Sequence, residues 1–275
     1  WTYILATTGA AVGLGNIWKF PYIAGENGGG AFVLMYLFCI MMLGVPIMMA
    51  EVLLGRKGRA NPVHSMLSQA RVAGARKLWA FIGLMGVAAG IMILMYYSVV
   101  AGWSLEYVFQ SARSSYIGQD AQTIAAGFGD LAQNSGRQLL WHTVFITATA
   151  TIVGLGVTRG IGNAVNILMP ILFALLLLLL WYAFKNGEFQ QGLDFMFAAD
   201  FSKLTGQSVL VAMGHAFFTL SLGMGTVMVY GSYMSADQSI SSAVVVVAGL
   251  DTLIALIAGM AIFPLVFASG LAPGS

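Results

Sequence analysis

The sequence predicts an all-α polytopic membrane protein, and three observations carry that expectation. Fifty-nine per cent of the 275 residues are hydrophobic and only 8% are charged, against roughly 25% charged in an average soluble domain. Apolar stretches close to the roughly 20 residues needed to cross hydrocarbon recur along the whole chain. Six of the twelve lysine and arginine residues fall in one loop. A soluble fold of this size could not cover its surface with so few polar groups, so the bilayer is the better solvent.

About seven spans are expected, at residues 2–24, 31–54, 78–108, 139–157, 164–184, 208–233 and 242–267. The second is the clearest, since residues 31–50 carry no charge and Pro46 is placed to kink it. The loop that follows holds Arg56, Lys57, Arg59, Arg71, Arg76 and Lys77 with no acid. Basic loops stay cytoplasmic, which puts this loop and the N-terminus inside. The loop at 110–138 is then external, and it is mixed in charge, with Arg113, Asp120, Asp130 and Arg137. Trp79, Trp103, Trp141 and Trp181 lie near span ends, where indole rings favour the interface. Cys39, the single cysteine, sits in an apolar run and reads as a packed thiol. The chain starts at Trp1 inside an apolar segment and closes on Pro273-Gly274-Ser275, so both ends read as cut.

Spans one and six share an irregularity. Gly9, Gly13 and Gly15 interrupt the first, beside Asn16; Gly214, Gly223 and Gly225 interrupt the sixth, beside Thr219 and Ser221. Glycine in a membrane helix often serves close packing. Paired interruptions at matching positions of two halves also mark the binding site of a transporter, where unwound backbone offers carbonyls and amides to an ion or substrate. Enzyme signatures are weak. Glu51 and Asp251 are read as the only acids deep in spans, and no catalytic pair or metal-ligand spacing accompanies them. Gly28-Gly29-Gly30 lacks the Lys-Ser/Thr of a phosphate loop, and no filter sequence or acidic ring suggests a channel.

Longer motifs make the reading specific. Gly9-Ala10-Ala11-Val12-Gly13-Leu14-Gly15-Asn16-Ile17-Trp18-Lys19-Phe20-Pro21-Tyr22, then Glu26-Asn27-Gly28-Gly29-Gly30-Ala31-Phe32, resembles the first-helix signature of the neurotransmitter:sodium symporter family. Phe217-Phe218-Thr219-Leu220-Ser221-Leu222-Gly223 resembles its sixth-helix signature, Glu51 with Gly55-Arg56 the end of its second helix, and Tyr96-Tyr97 its third. The resemblance runs over the whole chain and points to bacterial sodium-dependent amino-acid transporters with the leucine-transporter fold. It implies an inverted-repeat architecture with helices one and six broken, a first five-helix repeat over residues 1–184 and the start of the second over 185–275. Helices eight to twelve would lie beyond this chain.

The resemblance also implies a site. One sodium ion would take the Ala11 carbonyl, the Asn16 side-chain oxygen, Thr219 and, on span seven, Asp251; a second would take the carbonyls of Gly9 and Val12, its other ligands lying on helix eight. Substrate binding falls to Ala10, Ala11, Gly13, Leu14, Gly15, Ile93, Tyr97, Phe218, Thr219, Ser221 and Met224. Free amides near Leu14 and Gly15, at the start of a half-helix, suit a carboxylate, and the Tyr97 hydroxyl can join them. Carbonyls around Ala11, Phe218 and Thr219 suit an ammonium group. Ile93, Phe218 and Met224 would line the side-chain pocket, and the deformable methionine favours bulky apolar groups.

Lys19 occupies an outer-gate position where the family commonly has arginine, and lysine cannot form the same bidentate fork. Glu51 is expected to have a structural role, accepting hydrogen bonds from the unwound backbone of span six; the alternative is a partly hydrated interfacial acid. His215 stands where several relatives have glutamine and reads as a hydrogen-bonded core residue. Chloride is expected not to be required, because Asp251 would supply the negative charge beside sodium. The function implied is sodium-coupled symport of a neutral, hydrophobic or aromatic amino acid by alternating access, in a cell membrane; the rival is a transporter-shaped amino-acid sensor without net flux.

Overall fold

The computed structural model describes residues 2–274, and among them there are helices and loops but no strand. Trp1 and Ser275, the two expected cut ends, lie outside the described residues. The chain divides into two compact units, residues 1–88 with 165–275, and residues 89–164.

In the first unit the first expected span is a broken helix. α1 (Thr2–Ala11) ends where Val12 and Gly13 leave helical geometry, and a π-turn at Gly15–Lys19 leads into α2 (Phe20–Glu26), with Pro21 in its first turn. The second span runs as α3 (Gly30–Cys39), a π-turn at Ile40–Gly44 and α4 (Val45–Gly58). The irregularity expected at Pro46 therefore takes the form of a π-turn just before it. Proline has no N–H to give to the preceding turn, and a wider turn absorbs the missing bond. The basic loop is not extended: it contains α5 (Pro62–Val72), capped by Asn61, whose side chain accepts from His64 N–H. α6 (Ala80–Ala112) follows, its first turns belonging to this unit.

α9 (Asn163–Asn186) and α10 (Phe189–Phe197) precede the second broken helix. α11 (Gly206–Thr219) carries a capping box, in which the Thr205 and Ser208 side chains each accept from the other's backbone N–H. It stops at Thr219, and the chain resumes as α12 (Thr226–Tyr233). Between them Ser221, Gly223 and Gly225 all have positive φ, 55°, 76° and 75°. Glycine takes that conformation freely and serine does not. α13 (Ile240–Ala268) closes the unit.

Helices in lipid gain little from hydrophobic contrast and associate by close packing over small residues. α4 and α12 follow that rule. A methyl placed on Gly231 would meet the Val52 carbonyl oxygen at 2.6 Å, and one on Gly55 would overlap the Met228 backbone. α13 buries Ala243, Ala248, Ala255, Ala258, Gly259 and Ala261 in the same way. Phe20, Phe32, Tyr36, Met48, Leu220 and Phe263 fill the core around these contacts, and Cys39 is packed among them as expected.

Among the described residues four stretches are long and apolar enough to cross a membrane: Gly30–Gly58, Lys77–Ala112, Arg159–Asn186 and Ile240–Ala268. Expected spans one and six are absent from that set because each is interrupted. Span four is carried by α8 (Ser135–Gly154), whose first turn holds Arg137 and Gln138.

The second unit is built from the rest of α6, α7 (Ala121–Gln133), α8 and a π-turn at Val157–Gly162. α7 lies inside the stretch expected to be an external loop. Asp120 caps it, accepting from Thr123 N–H at 2.7 Å, and these bonds to Thr123 hold its carboxyl below the usual range. Trp103 and Trp141 do not act only as interfacial anchors: Trp103 Nε1 donates to Gln138 Oε1 at 3.2 Å, and Trp141 Nε1 donates to Glu106.

Candidate functional site

The two helix breaks of the first unit are stitched to each other. α1 ends at Ala11, which strips the carbonyls of its last turn of intrahelical partners. One is answered across the break, where the Ser221 hydroxyl donates to the Ala10 carbonyl at 3.1 Å. On the far side of the first break Gly13 N–H donates to Asn16 Oδ1 at 3.0 Å, and Asn16 N–H to the Gly13 carbonyl at 3.1 Å. At the second break, Gly223 N–H donates to Glu51 Oε1 at 2.7 Å. The half-buried Glu51 carboxylate thus closes a backbone donor that the break in the helix leaves open and that lipid could not satisfy.

Between the breaks lies a dense polar cluster. Asn16 Nδ2 donates to Asp251 Oδ1 at 2.7 Å, to the Asp251 carbonyl at 3.1 Å and to Thr219 Oγ1 at 3.0 Å. The Thr219 hydroxyl lies 3.1 and 3.0 Å from the two Asp251 carboxylate oxygens and donates to them. All three side chains are buried, Asp251 at 0% exposure. Thr219 at the end of α11 and Asp251 on α13 therefore bring hydroxyl and carboxylate oxygens within 3.1 Å of each other, and the Asn16 amide from the first break packs against both. Such a donor set fits sodium, which takes carbonyl, amide, hydroxyl and carboxylate oxygens. One detail differs from the expectation: Asn16 Oδ1, the anticipated ligand atom, accepts from Gly13 N–H, while the amide nitrogen faces the oxygens. An amide beside a carboxylate turns its N–H₂ toward it, because two oxygens would repel.

Phe218 packs its ring against the first break, where a methyl on Gly15 would meet Cε1 at 3.2 Å. Lys19 is exposed and its Nζ stands 5.3 Å from the centre of the same ring, a cation–π contact. Met224 lies half-buried in the unwound segment, and Leu14 is half-buried at the first break. Gly9 approaches α9, where an added methyl would meet Val165 at 3.1 Å, and Val12 packs with Leu176, Ile254 and Ala258. Ile93 and Tyr97 belong to the second unit, on α6, where both are half-buried one turn apart. His215 completes a cluster of three rings, stacked on Phe20 with centres at 5.9 Å and tilted against Tyr36 at 5.4 Å, while Phe20 and Tyr36 meet at 5.0 Å. Neither of its ring nitrogens has a partner among the described residues, so the hydrogen bond expected for it is not made.

Sequence reading missed one buried acid. Glu106, 5% exposed near the end of α6, accepts from Arg137, Trp141 and Gln110. Arg137 and Trp141 are four residues apart on α8 and so share one face; that spacing opposite an acid was the available signal.

The comparisons with known proteins agree with this architecture. The family model described as the sodium:neurotransmitter symporter family matches residues 1–126 and 116–269. An uncharacterized sodium-dependent transporter of Bacillus subtilis, YhdH, is 37% identical over 98% of this chain and 59% of its own length. Another from Haemophilus influenzae is 32% identical over 100% of this chain and 61% of its own length. The solved structure of MhsT in complex with L-phenylalanine superposes with a TM-score of 0.92 at 45% identity, over 100% of this chain and 62% of that one. The chain thus spans about three fifths of the length of these relatives and has the leucine-transporter-like fold with helices one and six broken. It belongs to the sodium:neurotransmitter symporter family.

Proposed function

We propose that the whole protein couples sodium entry to uptake of a neutral, hydrophobic or aromatic amino acid by alternating access. The observation that carries the reading is the Asn16–Thr219–Asp251 cluster between two mutually tethered helix breaks. Sodium at this cluster would be held by Asn16, Thr219, Asp251 and the Ala11 carbonyl, and a second ion by the Gly9 and Val12 carbonyls with groups beyond this chain. The ions supply positive charge that fixes the unwound backbone; the chain's own groups orient the substrate. Amides at Gly13, Leu14 and Gly15 take its carboxylate, with the Tyr97 hydroxyl, and carbonyls at Ala10, Ala11, Phe218 and Thr219, near Ser221, take its ammonium. The side chain would rest on Ile93, Phe218 and Met224. MhsT was solved with L-phenylalanine, which supports an aromatic substrate here.

Residues 1–184 and 185–275 are read as the first repeat and the opening of the second. The basic loop from Arg56 to Lys77 is placed in the cytoplasm, with the N-terminus, in a plasma or inner membrane. Asp251 supplies the negative charge beside sodium, so chloride is not required. The test is uptake of labelled L-phenylalanine by the full-length protein in proteoliposomes. An inward sodium gradient should drive accumulation that collapses with a sodium ionophore. Saturable binding without accumulation would instead identify a sensor.

A further inference from the structure

Between α5 and α6 the structure carries a feature that amino-acid transport does not use. No acid occurs from Val52 to Leu105, while six basic residues fall between Arg56 and Lys77. Two of them are engaged: Arg56 Nη1 donates to the Gln238 carbonyl at 2.8 Å and Arg59 Nη1 to the Ser232 carbonyl at 3.0 Å. The side chains of Arg76 and Lys77 are exposed and make no hydrogen bond or ion pair with any described residue. Apolar groups follow at once: Leu78 is 73% exposed, Trp79 50% and Phe81 58%.

These two features meet in one groove of about 640 Å³, lined by Val63, Arg76, Lys77, Leu78, Ala80, Phe81 and Leu84. Lys77 also opens the apolar stretch Lys77–Ala112, so the groove lies where hydrocarbon begins. Trp79, at the same level, suits the interface. A basic loop alone is explained by membrane orientation, and an apolar groove alone by any neighbouring acyl chain. Cationic and apolar groups lining the same groove at the hydrocarbon boundary select an amphiphile with an anionic head.

We propose that this groove binds an anionic phospholipid. The phosphate is held by the Arg76 guanidinium and the Lys77 ammonium, and one acyl chain lies along Val63, Leu78, Phe81 and Leu84. Arginine suits a phosphate through its planar fork, and lysine adds a point charge. Nucleic acid does not fit a groove whose other five lining residues are apolar.

The test measures lipid binding to the full-length protein in a neutral detergent, by thermophoresis, with phosphatidylglycerol and phosphatidylcholine of identical acyl chains. Phosphatidylglycerol should bind more tightly. Arg76→Gln with Lys77→Gln should weaken it about tenfold or more, as two surface charges predict, and weaken phosphatidylcholine less, because its choline offsets the charge of the phosphate. In the wild type, rising salt should erode the preference. Leu84→Trp should weaken both lipids by filling the groove. Equal affinities for the two lipids in the wild type, or a preference that survives the double substitution, overturns the proposal. Glycerol phosphate competing as well as the intact lipid would overturn the acyl-chain half. Should a variant fail to fold, the wild-type salt series and the glycerol phosphate competition still decide.

Discussion

Thr219→Val isolates the proposed sodium contact from packing. Valine keeps the branching and nearly the volume of threonine, so the change removes a hydroxyl and leaves no cavity. That hydroxyl donates to Asp251 and accepts from Asn16 Nδ2. Asn16 keeps two other acceptors, both on Asp251, so it is not orphaned. Two hydrogen bonds are lost, and the one to the buried Asp251 carboxylate, whose Oδ2 it serves, dominates at about 1.5–3 kcal/mol. The functional loss is separate, since sodium loses one of its oxygens. Losing a group that holds a metal in place typically costs 10- to 100-fold in affinity, so the sodium concentration for half-maximal substrate binding should rise at least about tenfold. Sodium titration of labelled L-phenylalanine binding to the full-length protein measures it, with Thr219→Ser as the variant that restores the oxygen. An unchanged sodium midpoint in a folded Thr219→Val protein would refute the ligand role.

Asn16→Ala should cost roughly 2–4 kcal/mol in thermal or denaturant unfolding, because it strands Gly13 N–H and removes a donor from a buried carboxylate; sodium-dependent binding should weaken with it. Met224→Phe should shift preference from aromatic toward small aliphatic substrates by about 1–3 kcal/mol in a competition panel, and an unchanged order would remove Met224 from the pocket. Gly55→Ala should lower the melting temperature, since its methyl would overlap the Met228 backbone, and strain of this kind costs about 1–3 kcal/mol; an unaltered melt would show that α4 and α12 can separate freely. Asp251→Asn should create a chloride requirement for uptake that the wild type lacks, read by exchanging chloride for gluconate.

What was legible in the sequence was what concentrates in short segments. The first break lies within Gly9–Asn16 and the second within Phe217–Gly225, and both are helix interruptions in the structure. Contacts that depend on tertiary register were not legible. Glu106 looked like an ordinary residue at a span end, because its partners Arg137 and Trp141 lie on another helix. α5 and α7 lie in stretches between the expected spans, too short to show as spans, where one side-chain cap, Asn61 or Asp120, starts the helix. The ring beneath Lys19 was not legible either, because Phe218 lies on the other broken helix. The unpartnered nitrogens of His215 could not be foreseen either, since its neighbours are two aromatic rings from α2 and α3.

The hydrogen bonds at the breaks also say how ion and substrate would communicate. Asn16 joins the two: its oxygen takes an N–H from Gly13, where the substrate carboxylate is proposed to sit, and its nitrogen addresses Asp251 and Thr219, where sodium is proposed to sit. Presenting the amide oxygen to a cation requires the amide to turn. Turning releases Gly13 N–H and returns two Asp251 lone pairs to the ion. The freed N–H is then available to the carboxylate of a substrate. Each ligand therefore offsets part of the reorganisation that the other needs, which is positive coupling. Coupling between binding sites is reciprocal and typically amounts to about 1–3 kcal/mol. Sodium should thus raise substrate affinity by the factor by which substrate raises sodium affinity, roughly 5- to 150-fold. Asn16→Ser separates this route from simple charge balance: it keeps an oxygen near the ion, loses the N–H₂ and adds no charge, so sodium binding should weaken but persist while the dependence of substrate affinity on sodium flattens; a dependence as steep as the wild type's would refute the route.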